Sequence, residues 1–236
     1  MTHSHSVTSI IRKILILMLA MHACSCASRP PRENVPDISS RVPAFAEPDN
    51  YSATIIQTID DGDRHEVIET RVARSGEMFR EEWREGGELR AAISRPDLGK
   101  IFLLSIDRQL FVETSNDLKA AAEAMPTGLG ENAPWNPASC DEPETVEVTL
   151  LPESAIDGHV CTAVERKAVF ADRHSELTRI YSAKDLGGLF LRMKSESSSF
   201  DRASHKTVLV ERKNVKTNVS DTEFTVPSNY KRAASL

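Results

Sequence analysis

The sequence lacks most of the features that identify an enzyme or a nucleic-acid-binding protein. It contains no Gly-x-Ser-x-Gly elbow, no phosphate-binding loop and no Cys-x-x-Cys pair. Lysine and arginine number 29 against 35 acidic residues, which gives a net charge of −6. An acidic balance disfavours nucleic acid, because proteins that bind nucleic acid neutralise phosphates with basic patches. We therefore predict no catalytic residue, no cofactor, no metal site and no nucleic-acid partner, and we expect a protein without enzymatic activity.

The sequence also lacks an apolar run long enough to span a bilayer, which needs about 20 residues. Its longest run, residues 14–21, has only eight and follows the basic pair Arg12 and Lys13. A short basic region followed by a short apolar run is typical of an export signal. We predict a lipoprotein-type signal peptide over residues 1–23, whose removal leaves a net charge of −8.

Two cysteines follow the apolar run at once, at Cys24 and Cys26. A cysteine directly after a small residue at this point resembles the lipobox of bacterial lipoproteins, in which that cysteine is acylated and becomes the mature N-terminus. Cys24, after Ala23, is the first candidate for lipidation, and Cys26 is the alternative. Ordinary secretory cleavage near residues 23–27, which leaves a soluble protein, stays open. The lipobox resemblance implies a membrane-anchored protein of the bacterial envelope that faces the periplasm, with the outer membrane as the expected destination.

Residues 24–50 are expected to form a tether between the anchor and a folded domain. Five of the twelve prolines lie there, and a segment rich in proline and charge is extended and weakly structured. The domain itself is predicted over residues 51–236, long enough to bury one core.

Short apolar segments separated by turn residues recur through this domain, which is the pattern of an all-β protein. Residues 93–113 organise the rest, because three apolar runs are cut there by Pro96 with Gly99 and again near Asp107. Apolar and charged residues alternate in several strands, so one face of the sheet is expected to be covered. We predict about eleven antiparallel strands in a strongly curved sheet or open barrel.

One segment breaks the strand pattern. Residues 115–125 hold four alanines between a candidate N-cap and Pro126, which predicts a helix. The long segment 126–143 that follows is either a functional loop or an ordinary connection between two halves of the sheet.

Three motifs in order resemble the LolA/LolB-like lipoprotein-carrier superfamily, and more closely a family of uncharacterised exported domains within it. They are the hairpin at 93–113, the segment from Asp157 to Leu191, and the closing element at 224–231. Phe190 and Asn229 depart from the family's usual proline and glycine. The resemblance implies a mainly β, half-open antiparallel barrel wrapped on one or more short helices, with an apolar concave surface that holds acyl chains in characterised relatives.

From this resemblance we expect binding of a lipid or an acylated protein, in lipid or lipoprotein trafficking; the protein partner stays unknown. The alternative is a non-enzymatic interaction module or envelope-stress sensor whose cavity is filled by its own side chains. The candidate ligand-binding residues are apolar side chains of the central hairpin, the helix and a late strand: Phe102, Leu104, Leu118, Met125, Leu189, Leu191 and Met193.

Cys140 and Cys161 are the cysteines that lie beyond the signal region. An even pair in an exported chain favours a disulfide. It would close a loop of about 20 residues and contribute about 3 kcal/mol in the chain-entropy view. A metal site with His159 is the weaker alternative, because two thiols and one imidazole lack the spacing of zinc sites.

Overall fold

The computed structural model describes residues 47–115, 143–171, 174–198 and 205–236. The predicted signal peptide, both candidate lipidation cysteines, nearly all of the tether, Cys140 and the segment 116–142 lie outside these residues. Ser115, the first residue of the predicted helix, is the last residue of a strand.

Twelve strands make up the described part of the chain. Their bounds are β1 Asn50–Asp60, β2 His65–Ser75, β3 Met78–Glu85, β4 Glu88–Arg95, β5 Lys100–Ser105, β6 Leu110–Ser115, β7 Thr145–Ile156, β8 His159–Val169, β9 Ser175–Ala183, β10 Phe190–Ser198, β11 His205–Lys216 and β12 Lys231–Arg232.

All twelve strands belong to one sheet in the order β12-β6-β5-β4-β3-β2-β1-β11-β10-β9-β8-β7. Neighbours are antiparallel, except that β12 runs parallel to β6. The sheet ends at two different strands, β12 and β7, so it is open rather than closed. The prediction of a mainly β, half-open antiparallel barrel is confirmed. The count exceeds eleven because β12 has only two residues, too few for an alternating pattern.

Two turns lie where proline, aspartate and glycine in the sequence predict the ends of strands. Between β4 and β5 the chain forms a 3-10 turn at Pro96–Leu98, and Gly99 follows with φ of +62°. Between β7 and β8, Asp157 and Gly158 both have positive φ, at +50° and +87°. Two successive positive φ values are typical of a type I′ hairpin turn, which suits the twist of antiparallel strands.

The C-terminal segment returns to the sheet after β11. A second 3-10 turn at Asp221–Phe224 begins at Ser220, whose hydroxyl accepts a hydrogen bond from the Thr222 backbone N–H. Phe224 is fully buried in a cluster with Ile93 and Leu104. The segment then forms β12 and so covers part of the free edge of β6.

Candidate functional site: the inner face of the sheet

The strand register defines two faces of the sheet, because residues directly opposite each other in neighbouring strands lie on the same face. One row runs across seven strands. Its members are Ile68, Gln57, Val210, Met193, Ile180, Val164 and Leu150. We call the side that carries this row the inner face, because the three residues in the middle of the row, Val210, Met193 and Ile180, belong to the larger core cluster.

A second inner row covers the other half of the sheet. Its members are Ala53, Val72, Glu81, Ala92, Leu103 and Val112. Apart from Glu81, which is buried, this row is apolar. Trp83 lies on the same face of β3 and is 6% exposed. The two rows are therefore apolar apart from Gln57 and Glu81, but charged side chains also lie on this face: Arg90 is opposite Trp83, and Arg166 is opposite Val148.

The outer face of the same strands is charged. Arg192 donates two hydrogen bonds to Glu211 Oε1, at 3.0 and 2.8 Å from its Nε and Nη2. On the neighbouring strands, Arg179 Nε lies 2.7 Å from Glu165 Oε2. Such partly exposed pairs contribute little to stability, about 0–1 kcal/mol each, but they mark this side as the one that faces water.

One patch of the outer face is apolar, and the C-terminal segment covers it. The patch consists of Ala73, Ala91, Ile93, Leu104 and Phe224, with Phe102, Phe111 and Tyr230 packed around them. Two arginines hold the segment by its backbone: Arg80 Nη1 donates to the Glu223 carbonyl at 3.0 Å, and Arg95 Nη1 donates to the Phe224 carbonyl at 3.2 Å.

Burial varies along the inner face. In the middle of the seven-strand row, Val210 and Met193 are 2% and 4% exposed. One row further toward the β1–β2 turn, Ile59, Val208 and Val148 are only half-buried. Side chains in the middle of the seven-strand row are thus buried, whereas apolar side chains of the next row are partly accessible.

The predicted ligand-binding residues do not form one surface. Met193 lies on the inner face opposite Val210, whereas Phe102 and Leu104 lie on the outer face, opposite Ile93 and Ala91. Both outer residues pack with Phe224 and are covered by the C-terminal segment. The structure therefore brings together only part of the predicted set.

The remaining members of that set divide between the core and the undescribed segments. Leu189 and Leu191 are fully buried in the larger core cluster with Met193. Leu118 and Met125 lie outside the described residues.

Cys161 lies at the start of β8 as a buried, free thiol. It packs with Ile156 and Leu189, and burial raises the pKa of its thiol. No disulfide is found among the described residues, and the thiol lies 3.6 Å from the His159 carbonyl. The predicted partner, Cys140, lies outside the described residues, so the Cys140–Cys161 pairing stays a prediction. His159 Nδ1 lies 2.8 Å from Asp185, and in the described ranges no group of three or more His, Cys, Asp or Glu side chains could hold a metal ion.

A buried arginine, Arg212 of β11, lies on the inner face opposite Ile55 of β1. The Arg212 side chain is 1% exposed, and its guanidinium lies 3.6 Å from the centre of the Phe190 ring. Its Nη1 donates to the Phe190 carbonyl at 3.1 Å and its Nη2 pairs with Glu47 at 2.6 Å. Burial raises the pKa of the adjacent Tyr51 phenol to about 12.

Two cavities flank Asn214, where an extra residue in β11 shifts the register against β1. Their volumes are about 370 and 320 Å³. Polar and charged side chains dominate both: the larger is lined by Asp157, His159, Arg212 and Lys213 among others. Since Lys213 is paired with Asp157 at 3.3 Å, neither cavity matches the apolar site that the sequence predicts.

Val208, Leu103, Val112 and Trp83 are candidate inner-face residues that sequence reasoning missed. For Trp83 the signal was present in its charged neighbours, Glu82 and Arg84, whereas Leu103 lies between the apolar residues Phe102 and Leu104. What sequence alone does not give is which face of each strand points inward, because that depends on register across the whole sheet.

Comparison with solved structures returns distant matches, among them a lipoprotein and a lipoprotein-sorting domain. A DUF1329 family protein from Desulfovibrio piger is 13% identical, with a TM-score of 0.31 over 75% of this chain and 90% of that one. Lipoprotein LppX of Mycobacterium tuberculosis is 10% identical, with a TM-score of 0.36 over 72% and 88%. A putative outer membrane lipoprotein-sorting protein domain from Vibrio parahaemolyticus is 10% identical, with a TM-score of 0.29 over 79% and 92%.

No family model matches the sequence, and no curated protein matches it. TM-scores below 0.5 do not establish a shared fold, so the description of a half-open antiparallel sheet rests on the strand order and register described above. Among the described residues, no helix is long and apolar enough to cross a membrane.

Proposed function

We propose that this chain is an exported, membrane-anchored lipoprotein whose domain binds the hydrocarbon chain of a lipid or an acylated protein on the inner face. The observation that carries the proposal is the seven-strand row from Ile68 to Leu150, in which every side chain is uncharged. Next to it lie the half-buried apolar residues Ile59, Val208 and Val148, in a row that also contains Glu66, Ser195, Thr178 and Arg166. A hydrocarbon chain suits this surface because it needs contact area rather than placed polar groups.

The dimensions of the row suit such a ligand. Seven strands spaced about 4.8 Å apart extend over about 29 Å. An acyl chain that fills half of a hydrocarbon core of about 30 Å needs only about 15 Å. Each methylene removed from water contributes about 0.8 kcal/mol, so a chain that covers the exposed Leu150 and the half-buried Val148 and Val208 beside the row gains affinity.

The proposed activity is binding and transfer rather than catalysis. Charged groups are paired across the outer face, as in Arg192 with Glu211, and the inner-face Arg212 is paired with Glu47. Glu81, Arg90 and Arg166 also lie on the inner face. No described cluster supplies an acid, a base and a nucleophile around one accessible point. Trafficking of lipids or lipoproteins in the periplasm, from an outer-membrane anchor, is the role that this arrangement supports best.

Native mass spectrometry with solvent extraction tests the proposal. The full chain is expressed in an exporting bacterial host, and we expect about one phospholipid or acyl chain bound per protein. Val208→Glu places a charge on the inner face and should abolish binding, whereas Leu209→Glu is the matched control on the outer face of the same strand. An apo mass that stays unchanged after incubation with phospholipid and acylated peptide contradicts the proposal.

A second candidate function, an interaction or sensor module with a self-filled core, is favoured by one observation. Val210, Met193, Ile180 and Val164 are each at most 5% exposed, so the middle of the inner face is already filled. The apo outcome of the same experiment supports this function.

Membrane anchoring is tested separately by labelling cells with an alkyne analogue of palmitate. We expect the full chain to incorporate label, Cys24→Ser to lose it and Cys26→Ser to retain it. Loss of label in Cys26→Ser alone assigns the acylation to the second cysteine, and an unlabelled parent protein contradicts the anchor.

A further inference from the structure

The two edge regions of the sheet differ in whether a further strand covers them. At one edge, β12 adds to β6: the Lys231 N–H donates to the Gln109 carbonyl at 2.9 Å, and the Ala233 N–H donates to the Phe111 carbonyl at 2.8 Å. At the other edge, β7 pairs with β8. Among the described residues, no strand pairs with the opposite side of β7.

The open side of β7 has the chemistry of a strand that can accept a partner. Every second residue of an antiparallel edge strand directs its N–H and C=O groups away from the sheet, where they can pair with another strand. Seven of the twelve β7 residues are exposed. Leu150 is 65% exposed, the largest value among the exposed large apolar residues.

Only one half of β7 is protected against such pairing. Pro152 lies in its second half, beside a register shift between Leu151 and Ser154. Proline and irregular register both interrupt pairing at an edge. The first half, residues 145–151, reads Thr-Val-Glu-Val-Thr-Leu-Leu, which has high strand propensity and no interruption.

This half is complementary to itself. In an antiparallel pairing centred on Val148, the inner-face residue Leu150 lies opposite Val146 of the second copy, and Val148 lies opposite its own counterpart. On the outer face, Glu147 lies opposite Thr149, so that no two carboxylates meet directly. The exposed Leu150 side chain would be covered, and the apolar inner row would continue into the second sheet.

We propose that residues 145–151 of β7 pair with the same segment of a second copy of this chain, which joins two sheets edge to edge about a two-fold axis. The partner is a second copy because the segment is self-complementary in both its inner and its outer row. A two-fold contact of this kind uses the same patch on both subunits and closes on itself, so it yields a dimer rather than a filament.

The test is sedimentation velocity on the full chain over a concentration series, combined with hydrogen exchange of the peptides that cover β7. We expect a monomer–dimer equilibrium, with backbone amides of residues 145–151 becoming protected as the dimer forms. Leu150→Lys adds a charge to the edge and should weaken dimerisation at least tenfold. Val160→Lys is the matched control, since Val160 is also an exposed apolar residue, 51% exposed, but lies on the next strand inward.

Three outcomes overturn the proposal. They are a monomer at every concentration, a dimer that Leu150→Lys leaves unchanged, and a dimer in which amides outside residues 145–151 become protected while those of β7 do not. Thermal unfolding of both lysine variants shows that each is folded; both positions are exposed, so we expect melting temperatures within a few degrees of the parent. Because the readouts are the oligomeric state and the amide protection of β7 rather than the amount of bound lipid, failure of this experiment leaves the proposed binding function untouched.

Discussion

Phe102 and Leu103 are consecutive in β5, yet they lie on opposite faces of the sheet and belong to different surfaces. Phe102 lies opposite Ile93 and contacts the Phe111 ring, with ring centres 6.3 Å apart, in the patch that the C-terminal segment covers. Leu103 lies opposite Ala92 on the inner face and is half-buried. Phe102 therefore packs against the C-terminal segment, whereas Leu103 lies on the face that is proposed to bind the ligand.

Substitution of these two neighbours should give opposite results. Phe102→Ala removes half-buried packing on the outer face and should lower the free energy of unfolding by about 2 kcal/mol without changing the amount of bound lipid. Leu103→Glu should abolish lipid binding, because it places a carboxylate against the hydrocarbon chain. Urea unfolding and native mass spectrometry measure the two effects. Loss of lipid from Phe102→Ala together with full occupancy in Leu103→Glu would reverse the assignment of the faces.

Phe224 should anchor the C-terminal segment. It is fully buried between β4, β5 and the 3-10 turn that contains it. Phe224→Ala should lower the free energy of unfolding by about 3–5 kcal/mol, the cost of removing a buried phenyl ring and leaving a cavity. Asn229→Ala, at an exposed position of the same segment, is the control and should change stability by less than about 0.5 kcal/mol. Equal stability of the two variants in urea would show that the segment does not support the sheet.

Arg212 should be required for a stable junction between Glu47 and the sheet. Arg212→Met keeps most of the side-chain volume over Phe190 but removes the pair with Glu47 and the hydrogen bond to the Phe190 carbonyl. We expect a loss of about 2 kcal/mol, because a buried carbonyl loses a charged donor while Glu47 regains water. The Tyr51 phenol, whose pKa is about 12, should titrate at a still higher pKa without the neighbouring cation, which spectrophotometric titration measures. An unchanged unfolding midpoint would contradict the role assigned to Arg212.

Most strand positions could be predicted from the sequence because turn residues such as Gly, Pro and Asp separate short segments with apolar or alternating residues. The hairpin at Asp157 and Gly158 is an example. The inner face could not be predicted from local patterns alone. Phe102 and Leu104 are apolar, as inner-face residues are expected to be. They lie instead in the small outer patch under Phe224, which also consists of apolar side chains. The segment that covers this patch is more than 100 residues away in the chain, and no local pattern shows where it returns.

Acid should weaken the β4–β5 region through Glu88. Its carboxylate accepts hydrogen bonds from the buried Ser105 hydroxyl and from Arg108, which together hold its pKa below the ordinary value of 4.5. A carboxyl whose pKa is lowered by folding stabilises the protein above its unfolded pKa, and that contribution is lost as the pH falls through its folded pKa. Glu88→Gln should therefore be less stable than the parent near neutral pH, and the difference should disappear in acid. Urea unfolding at several pH values measures it; a constant difference would show that the charge of Glu88 is not responsible.

The most direct test of the central claim is whether a bound acyl chain lies on the inner face. Trp83 is an inner-face residue and one of two tryptophans in the chain, so Trp135→Phe leaves it as the single fluorophore. A fatty acid brominated in mid-chain quenches tryptophan by close contact, and we expect saturable quenching of Trp83 that the Val208→Glu substitution removes. Binding of the brominated chain without any quenching of Trp83 would contradict the account, because the ligand would then lie away from the inner face.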